Sequence, residues 1–187
     1  MNKKLTYDNR CLIKENEREE EIEFIWVVVA NMNWRALLLT AQTILGLIPI
    51  VGLITSIFPR CEHHGIVFKT KNGNYYSADF VAGGSEFRNH YKNKEVAFHY
   101  IAKKVNQKKI WIYYKGKALE IIKIGEIINL INKVTPEKYH LLFQNCQSFV
   151  RYVMKELQVK IKDLGFNTGW TSGHMAAGIE IGGDRSY

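Results

Sequence analysis

The stretch from His64 to Phe80, "HGIVFKTKNGNYYSADF", constrains the fold more than any other in the chain. Two β-branched and aromatic runs flank Lys71-Asn72-Gly73-Asn74. Asn-Gly favours the positive φ of a tight turn, so the pattern predicts a β-hairpin. Further strands are expected where "EIEFIWVVVA" starts at Glu21 and where "KIWIYYKGK" starts at Lys109, the second turned by Gly116. Glu95 to Val105 reads as a helix, and Gly83-Gly84 as a loop. From Glu120 to Val134, Ile121, Ile124, Ile128 and Ile131 fall on one face of an amphipathic helix, broken at Thr135-Pro136-Glu137.

The apolar stretch from Ala36 to Phe58 is long enough to span a bilayer. Gly46, Pro49 and Gly52 divide it, however, and it reads better as a buried helix over Ala36 to Leu47 and a strand over Gly52 to Phe58 that stops at Pro59. Residues 1 to 21 are polar, as in a mobile arm or a peripheral helix, and no cleavable signal peptide is expected. The glycine-rich end, "GFNTGWTSGHMAAGIEIGGDRSY", reads as a loosely ordered tail. With 187 residues, 47% of them hydrophobic, the chain suits one compact domain carrying an N-terminal extension.

The net charge of +8 admits an acidic partner, although a solvated lysine-rich surface explains it more simply. Lys92, Lys94, Lys103, Lys104, Lys108, Lys109, Lys115 and Lys117 punctuate an aromatic region and form no stripe, and an acidic run from Glu15 to Glu23 opposes them. Without an aromatic RNA-binding motif, a zinc-finger spacing or an arginine block, nucleic acid is not an expected partner. Cys11, Cys61 and Cys146 are too few and too scattered for a disulfide framework, which favours a reducing, cytoplasmic setting. His90, His99, His140 and His174 lack ligand spacing, so neither a metal nor a cofactor is expected.

Chemistry concentrates at "QNCQSFVRYV", which starts at Gln144. Phe149, Val150, Val153 and Leu157 repeat at helical spacing, which puts Asn145 at the N-cap and Cys146 in the first turn. There the positive end of the helix dipole and free backbone N–H groups favour a thiolate, the form that acts as a nucleophile. Equally, buried free cysteines often serve only as small core residues. A thiolate nucleophile needs a histidine partner, and His63 and His64 are candidates. Strand alternation lets only one of them face a given helix.

Taken together, "IFPRCEHHGIVF" and "YHLLFQNCQSFVRYV" resemble the H-box and NC-box of the lecithin:retinol acyltransferase-like and phospholipase/acyltransferase families. These are a circularly permuted, NlpC-type branch of the papain-like thiol enzymes. Ile57-Phe58, Glu62-His63, His64, Gly65 and Ile66-Val67 take the places of the first box. Tyr139, Leu141, Asn145, Cys146, Phe149 and Val150 take those of the second, while Gln147-Ser148 replaces Glu-His. The resemblance covers roughly Gly52 to Leu157.

The resemblance implies an α+β papain-like fold, with a small antiparallel sheet packed on the helix that carries the cysteine. It divides the chain into an extension (1–50) with an apolar helix, a thiol domain (51–160) and a tail (161–187). His63 would be the general base, Cys146 the acyl-accepting nucleophile, and His64 would face away. The family's second histidine has no counterpart near Tyr75 to Asp79, leaving Tyr75, Ser77 or Asp79 to orient His63. Asp79 is chemically the best substitute and Ser77 is closer in motif register. Backbone N–H groups at Asn145 and Cys146 would form the oxyanion site.

The expected activity is acyl transfer or hydrolysis on glycerophospholipid esters, with Ala36 to Leu47 docking on a membrane surface. Similar picornavirus polyprotein products act as binding modules, so a non-catalytic module that binds a protein partner is the alternative. Desumoylating-isopeptidase-type proteins share the order of the two boxes and make amide hydrolysis a third reading.

Overall fold

A computed structural model describes residues 11–31, 62–81, 84–118, 120–135, 145–159 and 179–180. Seven strands form one sheet. They are β1 (Cys11–Leu12), β2 (Ile22–Asn31), β3 (Glu62–Thr70), β4 (Tyr75–Val81), β5 (Gly84–Asn89), β6 (Trp111–Lys117) and β7 (Ile179–Glu180), in the order β1-β5-β4-β3-β2-β6-β7. The five long strands pair antiparallel, and the two-residue β1 joins the edge at β5 in parallel. Three helices, α1 (Lys94–Lys103), α2 (Ile124–Val134) and α3 (Cys146–Glu156), pack against this α+β sheet.

Alternation along β2 explains the layering. Ile25, Val27 and Val29 enter a core shared with Ile124, Ile127, Ile128 and Ile131 of α2 and Phe149, Val150 and Val153 of α3. Trp26, Val28 and Ala30 face the other way and pack with Ala97, Phe98 and Ile101 of α1. A strand buried on both faces reads as one apolar run, as "FIWVVVA" does. Residues 22–31 lie within the stretch assigned to an extension from sequence, and here they sit in the middle of the sheet between β3 and β6. At Gly65 of β3 an added Cβ would overlap the side chain of Ile101, so glycine lets α1 lie directly on the sheet.

The hairpin forms as expected, with β3 and β4 joined through Gly73 at φ 82°. The helix expected from Glu120 begins instead at Ile124, where the Glu126 side chain accepts from the Lys123 N–H at 2.7 Å. Ile121 therefore lies ahead of the helix and is 71% exposed, and Ile127 joins the buried face in its place. The sequence reading missed β5, which begins at Gly84, a residue read as loop. The helix and strand read within Ala36 to Phe58 lie outside the described residues, as does most of the glycine-rich end apart from β7.

Candidate active site

The last helix starts as its sequence predicts. Asn145 is the N-cap, in extended conformation, and its Oδ1 accepts from the N–H groups of Gln147 (3.0 Å) and Ser148 (3.1 Å). Ser148 returns the favour, its Oγ accepting from the Asn145 N–H at 2.9 Å. Gln147 and Ser148 look like departures from the resembled box, yet Ser148 closes this capping box. The apolar face of Phe149, Val150 and Val153 then seats the helix on the sheet and fixes Cys146 at its head, 3% exposed.

That head lies against the first residue of β3. Cys146 Sγ is 3.8 Å from the Glu62 carbonyl oxygen, and Gln147 Nε2 approaches the same oxygen at 3.5 Å. His63 follows directly in the strand and is 3% exposed. Its Nε2 lies 3.3 Å from Asp79 Oδ2. The register explains the meeting, because Gly65 pairs with Asp79 and His63 stands two residues earlier, a diagonal neighbour on the same face.

Burial works against charge on His63, but hydrogen bonds to Asp79 and to Cys146, with the charges of both, outweigh it and push its pKa up to about 10. The direction of this shift favours the protonated form of His63. Asp79 is 1% exposed, its Oδ1 has no hydrogen-bond partner among the described residues, and Lys104 feels its charge.

His64 does not face away from α3 as expected: it pairs with Val29 on the face that Ile66 and Phe68 share with α3, while His63 pairs with Ala30 on the face of α1, and His64 Nε2 lies 3.3 Å from Glu62 Oε2. Burial, only partly opposed by Glu62, lowers its pKa. Ser77 is hydrogen-bonded instead to Nε2 of His90 at 2.7 Å, and burial with Arg88 lowers the pKa of His90 to about 4. Of the three candidates for orienting His63, Asp79 is the one in contact. Asn145 acts as a cap, since its N–H is spent on Ser148 and is not available to an oxyanion.

The sequence reading treated Gln147 only as a departure and missed its approach to the Glu62 carbonyl, for which a one-dimensional pattern carries no signal. A groove lined by Ile122, Ile127, Leu130 and Leu157 lies at the other end of α3, about 15 Å from Cys146 by helical rise, and belongs to different surface. Among the described residues no group of three or more His, Cys, Asp or Glu side chains could hold a metal ion, and no helix is long and apolar enough to cross a membrane.

Compared with protein-family models, with curated proteins and with solved structures, the chain matches none of them.

Proposed function

We propose that the chain is a thiol acyl-transfer enzyme of the papain-like H-box/NC-box kind, with Cys146 as nucleophile, His63 as proton carrier and Asp79 as the group that orients His63. The observation that carries this reading is one buried imidazole in contact with a buried carboxylate, with the cysteine of a capped helix's first turn contributing to its raised pKa. In the reaction His63 takes the thiol proton of Cys146, the sulfur forms a bond to the acyl carbon as the bond to the leaving alcohol or amine breaks, and the leaving group takes that proton from His63. A thioester results. Water or an amine then attacks the thioester, His63 accepts the proton, and the thiol is regenerated.

The resemblance supports glycerophospholipid acyl esters as donors at a membrane surface, in a cytoplasmic setting. Amide hydrolysis would use the same three residues. The burial of the pair favours a second reading: Cys146 and His63 are each 3% exposed, so the thiol is closed to an acyl chain in this conformation, which suits a module that keeps the fold and binds a protein partner.

Intact-mass spectrometry of wild type, Cys146→Ala and His63→Ala, after incubation with phosphatidylcholine and with a cysteine-directed acyl probe, separates the two. The enzyme reading expects an adduct on wild type that is absent in Cys146→Ala and slow to form in His63→Ala. Reactivity at Cys146 no greater than at Cys11 or Cys61, with no lipid turnover, would leave the binding module.

A further inference from the structure

Two features lie together at the end of the sheet opposite the Glu62 end of β3. The first is a cluster of lysines around one ring. Phe24 has Lys69 as its partner on β3 and Lys117 as its partner on β6, and Lys115 pairs with the next residue on that face, Trp26. The three ammonium groups stand 5.4, 5.9 and 5.9 Å from the centre of the Phe24 ring. Like charges gathered in this way repel one another, and an aromatic ring offsets the repulsion only in part. Glu23 pairs with Lys69 at 2.6 Å, whereas Lys115 and Lys117, both exposed, have no ion pair among the described residues. The cluster is short of negative charge.

The second feature is an exposed aromatic side chain on a strained backbone. Tyr91 has φ 52°, a left-handed conformation unfavourable for a bulky residue, and its N–H is held by Asn89 Oδ1 at 2.6 Å. A turn with no further task would place glycine or asparagine there. Tyr91 is 60% exposed, and Val96, in the first turn of α1, is 48% exposed. Both adjoin the lysines, because the Tyr91 carbonyl accepts from the N–H of Tyr75, the residue paired with Lys69.

We infer that this end of the molecule is a docking surface for an anionic lipid membrane, with Lys69, Lys115 and Lys117 toward the headgroups and Tyr91 and Val96 in the interfacial layer. Lysines are point charges that suit the diffuse field of anionic lipids, and tyrosine settles at headgroup level. Single-stranded nucleic acid is a poorer fit, because it needs open aromatic faces for base stacking. Here ammonium groups surround the Phe24 ring, and Trp26 is 5% exposed. The surface goes beyond the thiol reading and does not depend on it, since Lys69 stands about 20 Å from His63 along β3 at about 3.3 Å per residue.

The test is sedimentation of the full chain with phosphatidylcholine vesicles and with vesicles carrying about 30% phosphatidylserine, at about 0.1 and 0.5 M salt. Binding to the anionic vesicles is expected, weaker at the higher salt. It should fall on the order of 25-fold in Lys115→Gln/Lys117→Gln, since each lysine near such a surface contributes on the order of five-fold. Tyr91→Asn should also weaken binding, with a melting temperature no lower than wild type, because asparagine accepts the left-handed backbone. Equal binding to both kinds of vesicle, or wild-type binding by either variant, overturns the inference. So does tighter binding to oligouridylate that is lost in the lysine variant, which would make the surface a nucleic-acid site. Partition involves no acyl transfer, so this surface and the thiol reading fail independently.

Discussion

Replacing Asp79 with asparagine keeps the size of the side chain and removes the carboxylate held 3.3 Å from His63 Nε2. Burial disfavours the imidazolium, and Asp79 with Cys146 reverses the balance and holds its pKa at about 10. Losing an opposite charge at such a distance moves a pKa by about 1–3 units, or roughly 1.4–4 kcal/mol of preference for the charged form. His63 in the variant should thus titrate somewhere between about pH 7 and 9.

The sign of the stability effect follows from linkage. A pKa raised above the model value of 6.5 means that the native state binds the proton more tightly than the unfolded chain does. The stabilisation is complete below pH 6.5 and is lost as pH rises toward 10. In Asp79→Asn the loss begins from a smaller total and ends at lower pH. Carbon-edited NMR of the His63 ring across pH 5 to 10, with urea unfolding at matched pH values, reads both effects. A wild-type ring that titrates near 6.5, or a midpoint that Asp79→Asn leaves in place, would refute the argument.

Three further outcomes are expected. Gly65→Ala should destabilise the fold by about 1–3 kcal/mol, because the new methyl meets the fully buried Ile101, and a thermal melt would record it. Asn145→Ala leaves the Gln147 and Ser148 N–H groups without their shared acceptor, costing about 0.5–2 kcal/mol in chemical unfolding. Phe149→Ala empties a fully buried site beside the Phe80 ring, 5.9 Å away between centroids, and should cost about 3–5 kcal/mol by the same measurement.

Much of the local structure was legible in the residues. Asn72-Gly73 marked the turn between β3 and β4, and the β-branched run from Ile22 marked a strand without revealing that it would be central. Asn145 followed by Phe149, Val150 and Val153 located the helix start and with it the cysteine. Strand β5 was not legible, because "GSEFRN" offers one large apolar residue. It is held by pairing along β4 and by Phe87 stacked on Tyr76 at 5.7 Å between centroids.

The site divided in the same way. Asp79 and Ser77 lie on the same face of β4 by strand alternation, so residue chemistry left both open as partners for His63. The pairing of Gly65 with Asp79 put Asp79 within reach, and His90 took Ser77. Sequence by itself determined what depends on a few neighbouring residues: turn dihedrals, strand and helix periods, and a cap with its cysteine. Tertiary structure alone decided which carboxylate meets His63, that Cys146 and Gln147 share the Glu62 carbonyl, and that both faces of β2 are covered. Those outcomes turn on sheet register and helix docking, set by packing between segments as far apart as Glu62 and Cys146, over which local preference has no hold.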